Sequence, residues 1–159
     1  MNQSTYKIFF CGTGGQGVLM ASEVAGVAAL LSGSHVKKSE VHGMAQRGGS
    51  VESHLIFGDT VFSPLIAPGQ ADFLVCFHEA EAKRLSHFLK PGGTNFLPYL
   101  ADAPALPDAR LINTYLLGVL SAMLPIEQQH WMAAIEKVVG KKIEENKRAF
   151  ALGVERGKK

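Results

Sequence analysis

The fold is decided by one stretch, Tyr6-Lys7-Ile8-Phe9-Phe10-Cys11-Gly12-Thr13-Gly14-Gly15-Gln16-Gly17. Its first half is an apolar run typical of a buried strand. Its second half places three glycines at the G-x-G-x-x-G spacing of a dinucleotide-binding turn. An amphipathic pattern of small residues predicts a helix over residues 18–31, and Gly33 stands where that helix would stop. The patterns therefore predict a strand, a tight turn and a helix in succession.

The glycine turn is a candidate binding loop. We expect Gly12 to allow the tight turn, Gly14 to let the backbone approach a ligand or another strand, and Gly17 to let the helix pack on the sheet. The helix N-terminus favours an anion such as a phosphate, and the Gln16 amide adds hydrogen-bonding groups. The alternative is a turn that only links strand to helix. The candidate residues are Gly12, Thr13, Gly14, Gly15, Gln16 and Gly17.

A second candidate loop lies in residues 41–50, where three glycines surround Arg47 without any apolar period. The planar guanidinium of an arginine between flexible segments can bind a carboxylate or a phosphate through two hydrogen bonds. Arg47, Gly48 and Gly49 are therefore candidate binding residues. An ordinary surface loop with a solvated arginine is the alternative.

The next segments predict further strands. The polar residues 34–40 are a candidate short strand, and Glu40 stands about where a nicotinamide-binding domain needs an acid for the ribose. No clear apolar strand leads into Glu40, which argues against an ordinary NAD site. Residues 51–57 predict a strand, and Gly58-Asp59 predicts a type II′ turn into a second arm at residues 60–62. Part of the sheet should therefore be antiparallel.

Residues 71–77 form a near-continuous apolar run, which is typical of a strand buried on both faces of a parallel sheet. His78 and Glu79 follow directly, before a helix predicted over residues 80–89. Since ligands bind at the carboxyl ends of such strands, we expect both side chains to face the crevice of the glycine loop. The alternative is that they are solvent-exposed residues at a helix start.

The rest of the chain alternates short elements. The predictions are a turn at 91–93, a strand at 94–97, a loop at 98–108, a strand at 110–113, a helix at 114–123, a helix with Pro125 in its first turn, and a helix at 141–152. This order predicts an α/β fold with a Rossmann-like layered sheet, mostly parallel with an antiparallel hairpin, and helices on both faces. At 159 residues, we expect a single domain over residues 1–159.

Composition excludes several function classes. A charged fraction of 19% and a net charge of +2 describe a soluble globular protein without a nucleic-acid footprint. No signal-peptide pattern and no run as long as a membrane span occur, so a cytoplasmic location is expected. Cys11 and Cys76 lie in apolar runs and predict buried thiols. The sequence has no Cys-x-x-Cys motif, no histidines at the spacing of metal ligands and no nucleophile motif. We therefore expect no metal site and no catalytic residue in this chain.

The chain resembles the gamma subunit or gamma domain of the 2-oxoacid (pyruvate or ketoacid):ferredoxin oxidoreductases. The likeness rests on Gly12–Val18, on Arg47-Gly48-Gly49, on Asn113 with Gly118, and on the run Glu145–Gly153. The form of residues 43–51 is most similar to the beta subunit of indolepyruvate:ferredoxin oxidoreductase, a member of the same domain family. The likeness spans nearly the whole chain.

The resemblance implies a subunit of an enzyme that oxidatively decarboxylates a 2-oxo acid to an acyl-CoA and passes electrons to ferredoxin. Thiamine diphosphate and iron–sulfur clusters would lie on partner subunits. The gamma chain would cover the thiamine site and could help bind coenzyme A, with the two glycine-bearing loops toward the ligand and Asn113 in the same crevice.

The sequence leaves alternatives for the substrate, for the function and for self-association. Residues 98–110 are short and proline-rich for an indolepyruvate-type member, so another aryl or general 2-oxoacid is an equal alternative. A stand-alone NAD or flavin oxidoreductase and a plain CoA- or nucleotide-binding module are the other functional hypotheses. In isolation the chain could also associate with itself as a homodimer.

Overall fold

A computed structural model describes residues 4–42 and 49–159 of the chain. Within this part the strands are β1 (Thr5–Thr13), β2 (His35–His42), β3 (Ser50–Gly58), β4 (Ala71–Cys76) and β5 (Leu89–Asn95). The α-helices are α1 (Val18–Leu31), α2 (Glu79–Arg84), α3 (Leu97–Ala101), α4 (Ile112–Ser121), α5 (Gln128–Val138) and α6 (Ile143–Gly157). Two short 3₁₀ turns span Ser86–Phe88 and Ala109–Leu111.

The five strands form one sheet in the order β2-β3-β1-β4-β5. β4 lies parallel to both β1 and β5, whereas β3 lies antiparallel to both β1 and β2. Four strands therefore point in one direction and β3 points in the other. This confirms the α/β class and the mostly parallel sheet with an antiparallel pairing.

Helices cover both faces of the sheet, as predicted. On one face, α1 packs on β3, where the Ser22 and Ser53 hydroxyls are 2.6 Å apart. On the other face, α2 contacts β1 and β4, and Arg84 Nη2 donates to Glu52 Oε2 at 3.4 Å. Ser53 and Glu52 are neighbours on one strand, so their side chains point to opposite faces.

The last two-fifths of the chain form a helical layer held by unusually close backbone contact. α4 packs against α6. A Cβ at Gly118 would collide with the carbonyl oxygen of Phe150, and a Cβ at Gly153 would collide with that of Tyr115. Trp131 of α5 is fully buried and contacts Phe150, with 5.6 Å between the ring centroids. The glycines therefore let the two helices meet backbone to backbone.

The predicted hairpin at Gly58-Asp59 is wrong. β3 pairs with β2 and β1, and residues 60–70 leave the sheet without forming a strand. Gly58 is needed for another reason, because a Cβ there would collide with the Ser4 carbonyl oxygen. The Asp59 amide donates to that same oxygen at 3.0 Å, which keeps this end of β3 beside the start of β1.

The predicted turn at residues 91–93 is also wrong, because these residues lie inside β5. Gly92 has φ +81°, and the pairing of β4 with β5 shifts between Ala71 and Phe73. The turn-forming residues thus make an irregularity in an edge strand, where a proline costs no hydrogen bond in the sheet. The strand ends at Asn95, and the predicted loop begins with α3.

Two element boundaries differ from the predictions in the C-terminal half. Residues 110–113 form no strand but a 3₁₀ turn running into α4, because the Asp108 side chain accepts a hydrogen bond from the Arg110 amide at 2.9 Å and starts a helical turn. Pro125 precedes α5 instead of standing in its first turn. Ile126 is buried directly after it, and the chain stays extended at Glu127 before the helix begins.

Candidate functional site

The glycine loop lies at the point where the sheet changes its winding direction. After β1 the chain continues to β2, at one edge of the sheet. After β4 it continues to β5, at the opposite edge. β1 and β4 are parallel neighbours, so their carboxyl ends meet at one edge. In open α/β sheets this crevice is the usual ligand position. The predicted strand, turn and helix around it are all present.

Two glycines of the loop have a left-handed backbone. Gly15 has φ +89° and Gly17 has φ +80°, and a Cβ at Gly15 would meet nothing within 4 Å. Gly12 has no positive φ, so the tight turn does not need it for a left-handed backbone. A Cβ at Gly12 would instead lie 2.8 Å from Gln16 Oε1 and 2.8 Å from Val18 Cγ2. Gly12 is small so that Gln16 can fold back over it.

The Gln16 side chain joins the ends of β1 and β4. Its Oε1 accepts from the Thr13 amide at 2.7 Å, and its Nε2 donates to the Phe77 carbonyl oxygen at 2.9 Å. The Phe77 amide in turn donates to the Cys11 carbonyl at 2.9 Å. Gln16 was expected to offer its amide to a ligand, but both ends of that amide bind the protein. The side chain holds the switch point together.

The two predicted loops meet at one backbone hydrogen bond. The Gly14 amide donates to the Gly49 carbonyl oxygen at 2.9 Å. Gly14 therefore approaches another segment of the chain, one of the two roles expected of it. Arg47 and Gly48 lie outside the described residues. The bond brings the end of the second loop against the first.

Internal hydrogen bonds change what the loop can offer an anion. The backbone amide of Thr13 donates to Gln16 Oε1, and that of Gly14 donates to the Gly49 carbonyl oxygen. The backbone amide of Gln16 donates to the Thr13 carbonyl oxygen at 3.2 Å. These three donors serve the loop itself. An anion at this edge would therefore depend on the backbone amides in the first turn of α1.

A buried polar network supports the start of α1. The Asn113 side-chain nitrogen fills the space that a Cβ at Gly17 would need, so Gly17 packs on α4 and not on the sheet as expected. Asn113 Oδ1 accepts from the Thr114 amide at 2.8 Å, and Thr114 Oγ1 donates to Asn146 Oδ1 at 2.5 Å. Asn146 Nδ2 donates to the Lys142 carbonyl at 2.9 Å. The network connects the glycine loop to α6.

His78 and Glu79 lie at the carboxyl end of β4, as expected. His78 precedes α2 and its Nδ1 accepts from the Glu81 amide at 3.4 Å. Glu79 is exposed and its carboxylate lies 2.9 Å from Lys83 Nζ. Glu79 also lines a cleft of about 500 Å³. The other lining residues are Asn95, Leu97, Pro98, Leu100 and Ala101. Asn113 of α4 does not line this cleft, and its side chain lies beside Gly17 at the start of α1.

The two cysteines are buried opposite each other on neighbouring strands. Burial raises the pKa of the Cys76 thiol to about 12 and raises that of Cys11 as well. Both thiols stay protonated near neutral pH, and only a thiolate is a nucleophile or a metal ligand. Within residues 4–42 and 49–159, no three His, Cys, Asp or Glu side chains are grouped to hold a metal ion. A cluster with four cysteine ligands does not fit a chain with two cysteines.

The position of Glu40 argues against nicotinamide binding. In dinucleotide folds the strand that bears the ribose acid lies directly beside the first strand. Here Glu40 pairs with Ser53, and Ser53 pairs with Phe10, so β3 separates Glu40 from β1. Lys38 Nζ also lies 3.5 Å from the Glu40 carboxylate. The glycine spacing therefore occurs without the neighbour that a nicotinamide site needs.

No helix in the described part of the chain is both long and apolar enough to cross a membrane.

Comparisons with known proteins point to one family. The sequence profile of the family described as pyruvate ferredoxin/flavodoxin oxidoreductase matches residues 7–109. The chain is 33% identical to indolepyruvate oxidoreductase subunit IorB of Pyrococcus horikoshii over an alignment covering 96% of each chain. Its fold is similar to the keto/oxoacid ferredoxin oxidoreductase gamma subunit of Geobacter sulfurreducens, with a TM-score of 0.76, 24% identity, and 96% and 98% of the two chains covered.

A larger solved protein contains the same fold. The 2-oxoglutarate:ferredoxin oxidoreductase of Magnetococcus marinus, whose structure holds 2-oxoglutarate, coenzyme A and succinyl-CoA, matches with a TM-score of 0.81 and 18% identity. The match covers 99% of this chain and 32% of that one. At this identity the likeness concerns the fold alone.

Proposed function

The chain belongs to the pyruvate ferredoxin/flavodoxin oxidoreductase family, and we propose that it is the gamma-type subunit of a 2-oxoacid:ferredoxin oxidoreductase. In this proposal the holoenzyme converts an aryl pyruvate such as indolepyruvate to the acyl-CoA and passes the electrons to ferredoxin. The substrate class is drawn from the indolepyruvate relative. Thiamine diphosphate and the iron–sulfur clusters lie on partner subunits.

The observation that carries the proposal is the hydrogen bond between Gly14 and Gly49. It brings Gly49, at the end of the second loop, against the glycine loop at the carboxyl edge of β1. Gln16 fixes that surface to the end of β4, and Gly15 presents an open tip with no side chain. A bare backbone surface held by such hydrogen bonds is suited to lie close over a cofactor that another chain holds.

The cysteine chemistry agrees with a subunit that does not turn over alone. Two buried, protonated thiols supply neither a nucleophile nor cluster ligands. The polar side chains Gln16 and His78 at the crevice have structural partners, since Gln16 binds Phe77 and His78 caps α2. Catalysis is therefore assigned to the thiamine-bearing partner. The role of this chain is to cover the site and to help hold coenzyme A.

A stand-alone nicotinamide or flavin oxidoreductase fits less well. The glycine spacing favours it, but β3 stands between β1 and the strand that carries Glu40. A titration of the isolated chain with NADH and with FAD should show no tight binding. Tight binding of either would favour the stand-alone enzyme.

Reconstitution tests the proposal directly. The chain is co-expressed with the thiamine-binding subunit of its own organism, and the complex is assayed for CoA-dependent reduction of ferredoxin with indolepyruvate, phenylpyruvate, pyruvate and 2-oxoglutarate. We expect no turnover by the isolated chain and the highest kcat/KM of the complex with an aryl pyruvate. Turnover by the chain alone would contradict the subunit assignment, and a preference for 2-oxoglutarate would contradict the substrate class.

A matched pair of variants tests the position of the loop. Gly15 and Gly92 both have positive φ and open space at the Cβ position, and Asn tolerates that backbone better than other residues. In the complex, Gly15→Asn should raise the KM for coenzyme A or weaken subunit assembly, whereas Gly92→Asn in β5 should change neither. Equal behaviour of the two variants would separate the glycine loop from the ligand.

A further inference from the structure

β2 is one edge of the sheet. β2 pairs with β3 on one side, and no strand among residues 4–42 and 49–159 pairs with the other. An edge strand of eight residues presents a row of outward amide and carbonyl groups that can bind another strand. Natural proteins often block such edges with lysines, and β2 carries Lys37 and Lys38. Whether these lysines prevent another strand from pairing with β2 depends on the order of charges along the strand.

Lys38 and Glu40 lie on the same face of β2, the face covered by α1. Lys38 Nζ lies 2.6 Å from Glu23 Oε2 of α1 and 3.5 Å from Glu40 Oε1. Ser39 stands between them and points to the opposite face. Ser39 is therefore flanked along β2 by one cation and one anion, and both charged side chains lie on the α1 face of the sheet.

Two-fold symmetry restricts how two copies of β2 can pair. A sheet that continues across a two-fold axis has that axis perpendicular to it, and the residue at the axis lies opposite its own copy. With Ser39 at the axis, Lys38 of each copy lies opposite Glu40 of the other. With Lys38 or Glu40 at the axis, two like charges lie opposite each other, which is destabilising. Among these three axis positions, the charge pattern thus favours Ser39.

We propose that β2 pairs antiparallel with β2 of a second copy of this chain, with Ser39 at the two-fold axis. The two sheets join into one, and Lys38 of each copy lies opposite Glu40 of the other, in addition to the contacts that both side chains make within their own chain. This inference does not depend on the proposed function.

The face beside the strand also fits a second copy. A groove of about 240 Å³ lies between α1 and β2, and Val27, Leu30 and Val36 line it. Leu30 is 62% exposed and Leu31, at the end of the same helix, is 43% exposed, so apolar side chains of α1 face solvent here. Because the axis is perpendicular to the sheet, the α1 helices of both copies lie on the same face and flank the axis. Each helix can then cover the groove of the other copy.

Charge reversal tests the register on the full-length chain. By sedimentation velocity at micromolar concentration, the wild type should be a dimer. Lys38→Glu and Glu40→Lys should each weaken dimerisation by about tenfold or more, since two attractive pairs become repulsive. Lys37→Glu changes the net charge equally but lies opposite Val41 in this register, so it should remain dimeric. An equimolar mixture of Lys38→Glu and Glu40→Lys should form a heterodimer, because the opposed charges then match again.

A cysteine substitution tests the axis without changing any charge. Ser39→Cys should form a disulfide between copies on mild oxidation, since residue 39 lies opposite itself, while Lys37→Cys should not. The native Cys11 and Cys76 are buried and do not interfere. A monomeric wild type, unaffected dimers of both charge variants, or the absence of a Ser39→Cys cross-link would each overturn the proposal.

Discussion

The side-chain nitrogen of Asn113 occupies the space that a Cβ at Gly17 would fill. A glycine is required at position 17 for two reasons. Its φ is +80°, and α4 packs closely against it at the start of α1. Asn113 is only 2% exposed, and its oxygen accepts the Thr114 amide. The glycine loop is held in place from the helical layer as well as from the sheet.

Replacing Gly17 should cost more than replacing Gly15. Both residues have positive φ, but only Gly17 has a neighbour at the Cβ position. Gly15→Ala should lower the free energy of unfolding by about 1 kcal/mol, from backbone strain alone, and Gly17→Ala by about 3 kcal/mol. Urea denaturation of both variants measures the difference. Equal losses in the free energy of unfolding would show that the Asn113 side chain can move away from a Cβ at position 17 without destabilising the protein.

The Gln16 bridge should be sensitive to the loss of its donor. Gln16→Glu keeps an oxygen for the Thr13 amide but places a second acceptor against the Phe77 carbonyl. We expect the free energy of unfolding to fall by about 1–3 kcal/mol near neutral pH. The loss should shrink in acid, where the introduced carboxyl group is protonated and can donate. A pH-independent loss would indicate that the bridge to Phe77 contributes little.

The backbone contact between α4 and α6 should not tolerate a methyl group. Gly118→Ala or Gly153→Ala drives a Cβ into a carbonyl oxygen of the facing helix, so each should destabilise the protein by about 1–3 kcal/mol or more. Gly26 of α1 offers the control, because a Cβ there would lie 3.5 Å from Leu55 Cδ1, an ordinary contact. Gly26→Ala should be neutral or stabilising by up to about 1 kcal/mol, through helix propensity. Thermal unfolding of the three variants would contradict this account if Gly26→Ala were the most damaging.

Stability should fall in weak acid through His54. Burial lowers the pKa of this imidazole below its ordinary 6.5, although Glu52 opposes the shift. Its Nδ1 accepts the Ile66 amide at 3.0 Å. The unfolded state therefore binds a proton before the folded state does. The stabilising contribution is complete above pH 6.5 and is lost as the pH falls toward the folded-state pKa.

A replacement that cannot titrate isolates this contribution. His54→Asn keeps an acceptor for Ile66 but cannot titrate. The free energy of unfolding of the wild type should drop more steeply below pH 6.5 than that of His54→Asn, as measured by denaturant titrations across the acid range. Parallel pH profiles of the two proteins would assign the acid sensitivity to other groups.

Arg47 remains a prediction from the sequence. If its guanidinium binds a phosphate or a partner carboxylate through two hydrogen bonds, Arg47→Lys should lower the kcat/KM of the reconstituted holoenzyme by about tenfold, because lysine cannot form the paired geometry. Lys37→Arg, a conservative exchange on β2, is the control. Unchanged kinetics of Arg47→Lys would return Arg47 to an ordinary surface loop.

Local patterns were enough to predict the first βα unit and the buried strand at residues 71–76. A continuous apolar run and a glycine turn leave little choice of structure there. The partner of Gln16 could not be predicted, because Phe77 is 61 residues away and the bond depends on how β4 pairs with β1. The family likeness did contain Asn113, Gly118, Asn146 and Gly153. Only their packing shows that Thr114 joins Asn113 to Asn146 and that the two glycines face each other.

The wrong predictions of a hairpin at Gly58-Asp59 and of a turn at residues 91–93 share one physical cause. Gly58, Gly92 and Pro91 were interpreted as turn residues, since glycine and proline most often mark turns. Gly58 instead lets the Ser4 carbonyl approach, and residues 91–93 form an irregular part of an edge strand. A glycine selected for close packing has the same sequence signal as a glycine selected for φ. Tertiary contacts alone distinguish the two.

The chain of contacts from Gly17 through Asn113 to α6 has a consequence for biosynthesis. The glycine loop leaves the ribosome before α6 does, yet its supporting network includes Asn146 of α6, and Gly153 of α6 packs closely against α4. While α6 is still in the exit tunnel, the loop lacks this support. The binding surface should therefore mature late in translation, which would keep the nascent chain from engaging a partner before its own fold is complete.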